Sequence, residues 1–310
     1  MIKLINNVYS LIHPTRKTLD LPIVFDSPHS GTVYPTNTGI VAPGAALKTT
    51  WDAYVDELWA AAPEAGAALL AARFPRAYID ANRSPDDIDP EMLATPWEGP
   101  LSPSDSCMRG MGLIRRYALP NVPMYAEPVA VSEVRQRISR YYEPYHTVLR
   151  SLLDLAHSCY GAAWHVNCHS MKSVGNAMNA DSGSGRPDMV VSDYNGTTCD
   201  AEFTAWTAGL LRKMGYTVSI NDPYQGGYIV RRYGQPDEGR NSIQIEINRR
   251  LYMNEASFEK SEGFDRLKEN LDSFVFELAN YVKRHGQIRG PSHKKIPDVN
   301  TSGKLDTARF

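Results

Sequence analysis

Two histidines stand where apolar runs give way abruptly to small and polar residues. His29 follows Leu21-Pro22-Ile23-Val24-Phe25-Asp26-Ser27-Pro28, and His169 follows Trp164-His165-Val166-Asn167-Cys168. A third run, Ile243-Gln244-Ile245-Glu246-Ile247-Asn248-Arg249, places one carboxylate in an otherwise apolar strand. Hydrolytic zinc takes three ligands from His and Asp/Glu and leaves a position open. In open α/β sheets, ligands collect beyond the carboxyl ends of the strands. His29 and His169 therefore read as two ligands of a hydrolytic metal site. For the third, Asp52 and Asp56 stand four apart and share a helix face. Asp56 is the preferred ligand and Asp52 its neighbour or supporting partner. The alternative is that both simply favour the positive end of a helix. Glu246, costly to bury unpaired, is placed to act as general base. Its plainer alternative is an ion pair with Arg249 or Arg250.

Basic residues suggest what such a site would bind. Asn82-Arg83 ends a further strand-like run, and an arginine fork matches a carboxylate with two parallel hydrogen bonds. Arg231 and Arg232 follow Gly226-Gly227-Tyr228, where glycines would let backbone approach a ligand closely; Arg231 and Tyr228 are candidates for a second carboxylate. Cys168 offers a rival thiol chemistry, but neighbours on a strand point to opposite faces, so it pairs poorly with His169.

These residues need a frame, and the pattern supplies one. Strands are expected over 21–25, 76–79, 162–168, 189–192, 218–221 and 243–247. Helices are expected at about 51–61, through an alanine-rich stretch ending near Ala72, over 131–159 with a break at Pro144, at 200–214 and at 257–283. Alternating strands and helices define an α/β fold with a mainly parallel sheet. No linker divides the chain, so residues 1–285 are expected to form one domain, followed by a polar tail over 286–310. The Pro- and Gly-rich stretch 85–128 reads as a lid or substrate-enclosing wall.

Composition narrows the class. The 310 residues are 42% hydrophobic and 22% charged with a formal net charge of −2, which gives no electrostatic reason to expect a nucleic-acid or anionic-membrane partner. Cys107, Cys159, Cys168 and Cys199 form no CxxC pair, favouring reduced thiols and a cytoplasmic location. No segment approaches the ~20 apolar residues of a membrane helix, and Met1 to Lys17 lacks the apolar run of a signal peptide.

Taken together, the motifs resemble the N-formylglutamate amidohydrolases, the deformylases of histidine breakdown. The resemblance runs through Asp26-Ser27-Pro28-His29-Ser30-Gly31, Trp51-Asp52-Ala53-Tyr54-Val55-Asp56, Asp80-Ala81-Asn82-Arg83 and His169-Ser170. It continues through Pro187-Asp188-Met189 and Asn221 to Gly234, and closes on Gln244 to Met253. That family is distantly similar to zinc carboxypeptidases and aspartoacylase-like deacylases, which implies a phosphorylase/hydrolase-like three-layer αβα sandwich with a mainly parallel mixed sheet. It also implies one zinc ion on His29, Asp56 and His169, a carboxylate grip at Asn82-Arg83, and Glu246 as base. In the relatives the acidic ligand follows the first His within three residues. Here position 32 is Thr, and Asn167 replaces an acidic residue two before the second His. The implied reaction is zinc-dependent release of formate from N-formyl-L-glutamate, with Arg83 and Arg231 on the two carboxylates and Arg76 steadying the oxyanion. The alternatives are a metal-dependent deacylase of another N-acyl acidic amino acid, or a non-catalytic binder of such small molecules.

Overall fold

The computed structural model describes residues 1–14 and 19–285; the expected tail over 286–310 lies outside the described residues. Ten strands occur among them: β1 (Ile2–Ile5), β2 (Tyr9–His13), β3 (Ile23–Ser27), β4 (Ala68–Ala72), β5 (Tyr117–Leu119), β6 (Val122–Pro123), β7 (Ala163–Met171), β8 (Met189–Ser192), β9 (Val218–Ile220) and β10 (Arg240–Asn248). Eight of them form one sheet in the order β1-β2-β4-β3-β7-β10-β8-β9, and β5-β6 pair separately. The central strands β4-β3-β7-β10 run parallel, while β1-β2, β2-β4 and β8-β10 are antiparallel. The sheet is mixed, as expected.

Alternation along the central strands divides the molecule into layers. Phe25, Trp164, Val166, Cys168, Ile243, Ile245 and Ile247 face one apolar cluster, closed by helices Ala201–Lys213 and Gly263–His285. Val24, Leu70 and Ala163 face the other, closed mainly by helix Glu143–Tyr160. That helix follows a π-helical turn, Ile138–Tyr142, and carries Pro144 in its first turn, where the missing N–H costs nothing. The break expected at Pro144 is this junction.

Two elements differ from expectation. The alanine-rich stretch is strand β4, buried throughout; a five-residue run buried on both faces leaves no periodicity to separate strand from helix. Arg76 to Ile79 is then a turn that carries the chain off the sheet, not a strand. The helix expected at 51–61 shrinks to Val55–Leu58, entered through Tyr54 in the left-handed region (φ 61).

Candidate active site

The face of the sheet toward helix Glu143–Tyr160 carries a buried polar column: Asp26 on β3, His165, Asn167 and His169 on β7, and Ser242, Gln244 and Glu246 on β10. Register sets it, since Glu246 lies opposite His169, Gln244 opposite Asn167 and Ser242 opposite His165. At the carboxyl end of the column, His29, Asp52 and His169 come together, their ligand atoms all within 4.8 Å of one another and all three residues buried.

The proton positions of both histidines follow from their partners. His29 Nε2 is 2.7 Å from Asp80 Oδ1, a carboxylate that can only accept, so the ring proton is there. Its Nδ1 is then a bare lone pair, 3.4 Å from Asp52 Oδ2 and buried without a hydrogen-bond partner among the described residues. For His169 the chain is longer. Asn167 Nδ2 donates to Asp26 Oδ1 at 2.7 Å, which turns Asn167 Oδ1 toward His169 Nε2, also at 2.7 Å. The proton on Nε2 leaves Nδ1 as a second lone pair, 3.1 Å from Asp52 Oδ2. Two bare imidazole nitrogens and a carboxylate facing one point are a donor set that fits a divalent metal, each ring held from behind as metal-ligating histidines are. Burial alone would raise the Asp52 carboxyl, but its contacts with the His169 and His29 rings and the charge of Arg76 hold it well below the usual carboxylate range.

Asp56 is not part of this cluster. Asp52 precedes the short helix, its amide donating to His29 O at 3.2 Å, so the two aspartates never share a helical face. Asp56 is the second residue of that helix, its amide bonded to Ser30 Oγ. The acidic member of the triad is Asp52.

Glu246 faces the same opening. Gln244 Nε2 donates to its Oε1 at 2.8 Å, and burial raises its pKa despite the opposing pull of His169. It has no ion pair with Arg249 or Arg250, which are held by Asp52 and Asp188 respectively. Arg76 also lines the cleft, bonded to Asp80 Oδ2 through Nε (3.1 Å) and Nη2 (2.7 Å), with Nη1 3.8 Å from Asp52. Cys168 lies on the opposite, apolar face, fully buried, where burial pushes its thiol well above the usual range. It cannot serve as a nucleophile in this cleft.

The cleft is about 340 Å³ and is lined by Asn82 and Arg83 as well as the groups above. Asn82 is engaged by protein: Oδ1 accepts from the Ile229 amide at 2.8 Å, and Nδ2 faces Gln244 Oε1 at 3.3 Å and His169 Nε2 at 3.1 Å. A side chain at Gly227 would put its Cβ 2.3 Å from Asn82 Nδ2, so this glycine makes room for Asn82, not for a ligand. Arg83 is looser, its Nε unbonded and 4.0 Å from Asp87 Oδ2. Arg231 and Tyr228 are not among the residues lining the cleft. Both belong to helix Tyr228–Tyr233, where Arg231 is exposed and rests over the Tyr194 ring at 5.1 Å. Tyr228 stands edge-on to His146 and accepts from Arg232. Six-residue helical winding turns them away from the glycine turn that the sequence spacing had placed beside a ligand.

Several contributors escaped the sequence. Asp80 was legible only as the residue two before Asn82, and Asp26 only as part of a strand end. Arg115 and Arg109 come from the stretch 85–128, which does form a wall of the cleft; nothing in its local sequence marks which arginines turn inward.

An α/β sheet that brings a buried His–Asp–His cluster and an opposed glutamate to one cleft has the architecture of an amide hydrolase. The chain belongs to the N-formylglutamate amidohydrolase family, whose pattern matches residues 21–253. It is 29% identical over 241 residues to a Pseudomonas putida protein named N-formylglutamate deformylase, covering 76% of this chain and 83% of that one. A Pseudomonas aeruginosa protein of the same name is 29% identical over 244 residues, covering 76% and 84%. Among solved structures, the N-formylglutamate amidohydrolase of Ralstonia eutropha JMP134 superposes with a TM-score of 0.84 at 41% identity, over 90% of this chain and 99% of that one. A gene product of Agrobacterium tumefaciens shares the fold, with a TM-score of 0.65 at 17% identity over 90% and 96%.

Proposed function

We propose that this protein hydrolyses the N-formyl amide of N-formyl-L-glutamate to formate and L-glutamate, the deformylation step of histidine breakdown, with one zinc ion held by His29, Asp52 and His169. The observation that carries the reading is the convergence of the His29 and His169 Nδ1 atoms on Asp52, opposite Glu246. The names of the two Pseudomonas relatives support the substrate. Zinc in such a donor set supplies Lewis acidity to the amide carbonyl and acidity to the attacking water.

The chain's own residues do the rest. Glu246, its pKa raised by burial, takes the proton from the attacking water and returns it to the departing amine, as a base poised nearer neutrality can. Arg76, oriented by its two bonds to Asp80, presents its remaining donors toward the cleft and steadies the negative charge that develops on the acyl oxygen. Arg83 holds one carboxylate of the substrate. Asn82 is taken up by the protein, tying Gln244 to the start of helix Tyr228–Tyr233. Formate release from N-formyl-L-glutamate tests the proposal: turnover is expected from zinc-loaded protein, and its absence there would overturn the reading.

A further inference from the structure

A small recess of about 80 Å³ adjoins the cleft, the two sharing Arg76, Met111, Arg115, Ser170, Asn179 and Tyr224 as walls. Its lining is unusually basic: Arg76, Arg115, Lys172, Arg186 and Arg249 face it, against one acid, Asp52. Three of these cations are already matched. Arg76 is held by Asp80, Arg186 by two bonds to Asp181 (2.7 and 2.8 Å), and Arg249 by Asp52 at 2.9 Å.

Arg115 and Lys172 are not matched in this way. Arg115 is 6% exposed, yet its Nε has no partner among the described residues, and its one hydrogen bond is a long 3.5 Å contact from Nη1 to Tyr117 O. Burial, with Arg76 beside it, pulls its guanidinium down to about 9. Lys172 stands half-buried across the recess. Burial and then the charges of Arg249 and Arg115 pull its ammonium down to about 8, opposed by Glu255. A buried guanidinium without a carboxylate is strongly unfavourable, and an arginine fork is best satisfied by a planar anion that accepts two bonds.

We propose that this recess receives the second carboxylate of the substrate, with Arg115 as the side chain that selects a dianionic amino acid and Lys172 assisting across it. The assignment rests on the acidic N-formyl amino acid reading above and replaces Arg231 in that role. It makes the wall formed by the stretch 85–128 the specificity element, while the sheet holds the chemistry. A neutral side chain of the same shape, such as glutamine, would leave Arg115 buried and unmatched.

Binding of L-glutamate and of L-glutamine, the charged and neutral isosteres, is measured by calorimetry on the zinc-loaded wild-type protein and on R115Q, R115K and K172M. Wild-type protein is expected to prefer glutamate. R115Q should lose about 10- to 100-fold in glutamate affinity and hold glutamine within about threefold, so that the preference collapses; R115K should retain part of it. K172M, and R115K if R115Q does not fold, should shift the same ratio in the same direction by a smaller factor. Equal losses for both ligands, an unchanged ratio, or a wild-type protein without preference would overturn the assignment. Formate release is scored separately. Glutamate selectivity through Arg115 without formate release would sink the deformylase reading and leave the recess standing; formate release with a ratio indifferent to Arg115 would do the reverse.

Discussion

Replacing Asp52 by Asn while leaving Asp56 intact, and the reverse, separates the two aspartates that sequence spacing alone could not rank. Asn is nearly isosteric with Asp, so the fold is preserved and the lost quantity is charge. At Asp52 that charge faces His169 Nδ1 at 3.1 Å, His29 Nδ1 at 3.4 Å, Arg249 Nη2 at 2.9 Å and Arg76 Nη1 at 3.8 Å. Asn keeps an acceptor for buried Arg249 but turns a charge-assisted bond into an ordinary one, a loss of about 1–2 kcal/mol. With the weaker contribution of Arg76, D52N should be destabilised by about 2–3 kcal/mol, a fall in Tm of roughly 3–5 °C for a chain of this length. Zinc affinity should fall further. Removing a group that merely supports a ligand costs about 10- to 100-fold, so removing the charged ligand itself should cost at least about 100-fold. Asp56, by contrast, is pushed up by its own burial and by Glu57, and D56N should change zinc affinity by less than about threefold and stability by about 0.5 kcal/mol or less. Competition for zinc against a chromogenic chelator, with thermal melts of the metal-free proteins, reads both quantities. If D56N sheds zinc while D52N retains it, the reconstruction of the cluster is wrong.

Two further predictions concern the groups behind and opposite the cluster. E246Q should bind zinc as wild type does and lose about 10²- to 10⁴-fold in kcat; near-normal turnover with metal bound would remove Glu246 from the role of base. His146, hydrogen-bonded to Ala81 O and Tyr233 Oη, is pushed down to about 4 by burial, whereas an unfolded imidazole titrates near ~6.5. Between those values unfolding takes up a proton, so stability should fall as pH drops from about 6.5 toward 4, by on the order of 3 kcal/mol. Urea melts across that range on wild type and H146F provide the check, and an equal pH slope in the two proteins would contradict it.

How far the site could be read in advance depended on the kind of signal each residue left. His169 and Glu246 interrupt buried strands and His29 stands just beyond the end of one, and a polar residue in such a place is conspicuous because it needs a reason to be there. The strands that position them, β3, β7 and β10, were legible for the same cause. Asp52 was not, since its position depends on Tyr54 adopting a positive φ and shortening the helix after it, a conformation that residue type does not announce. β4 was misread because Ala68 to Ala72 is apolar on both faces, a pattern that helix and strand share. Arg231 and Arg115 fail in opposite directions: one follows a suggestive glycine pair and turns outward, the other lies in an unpatterned loop and turns inward. Side-chain direction off the regular elements is set by tertiary contacts, and local sequence carries little of it.

The central claim is that these residues make a zinc-dependent deformylase, and formate release from N-formyl-L-glutamate tests it most directly. The measurement is made on protein as isolated, after complete chelation, and after titration with zinc. Activity is expected to vanish with the metal and to return in proportion to zinc, reaching its plateau at one ion per chain. Full activity in chelated protein that retains no metal, or no formate from protein carrying one zinc per chain, would contradict the account.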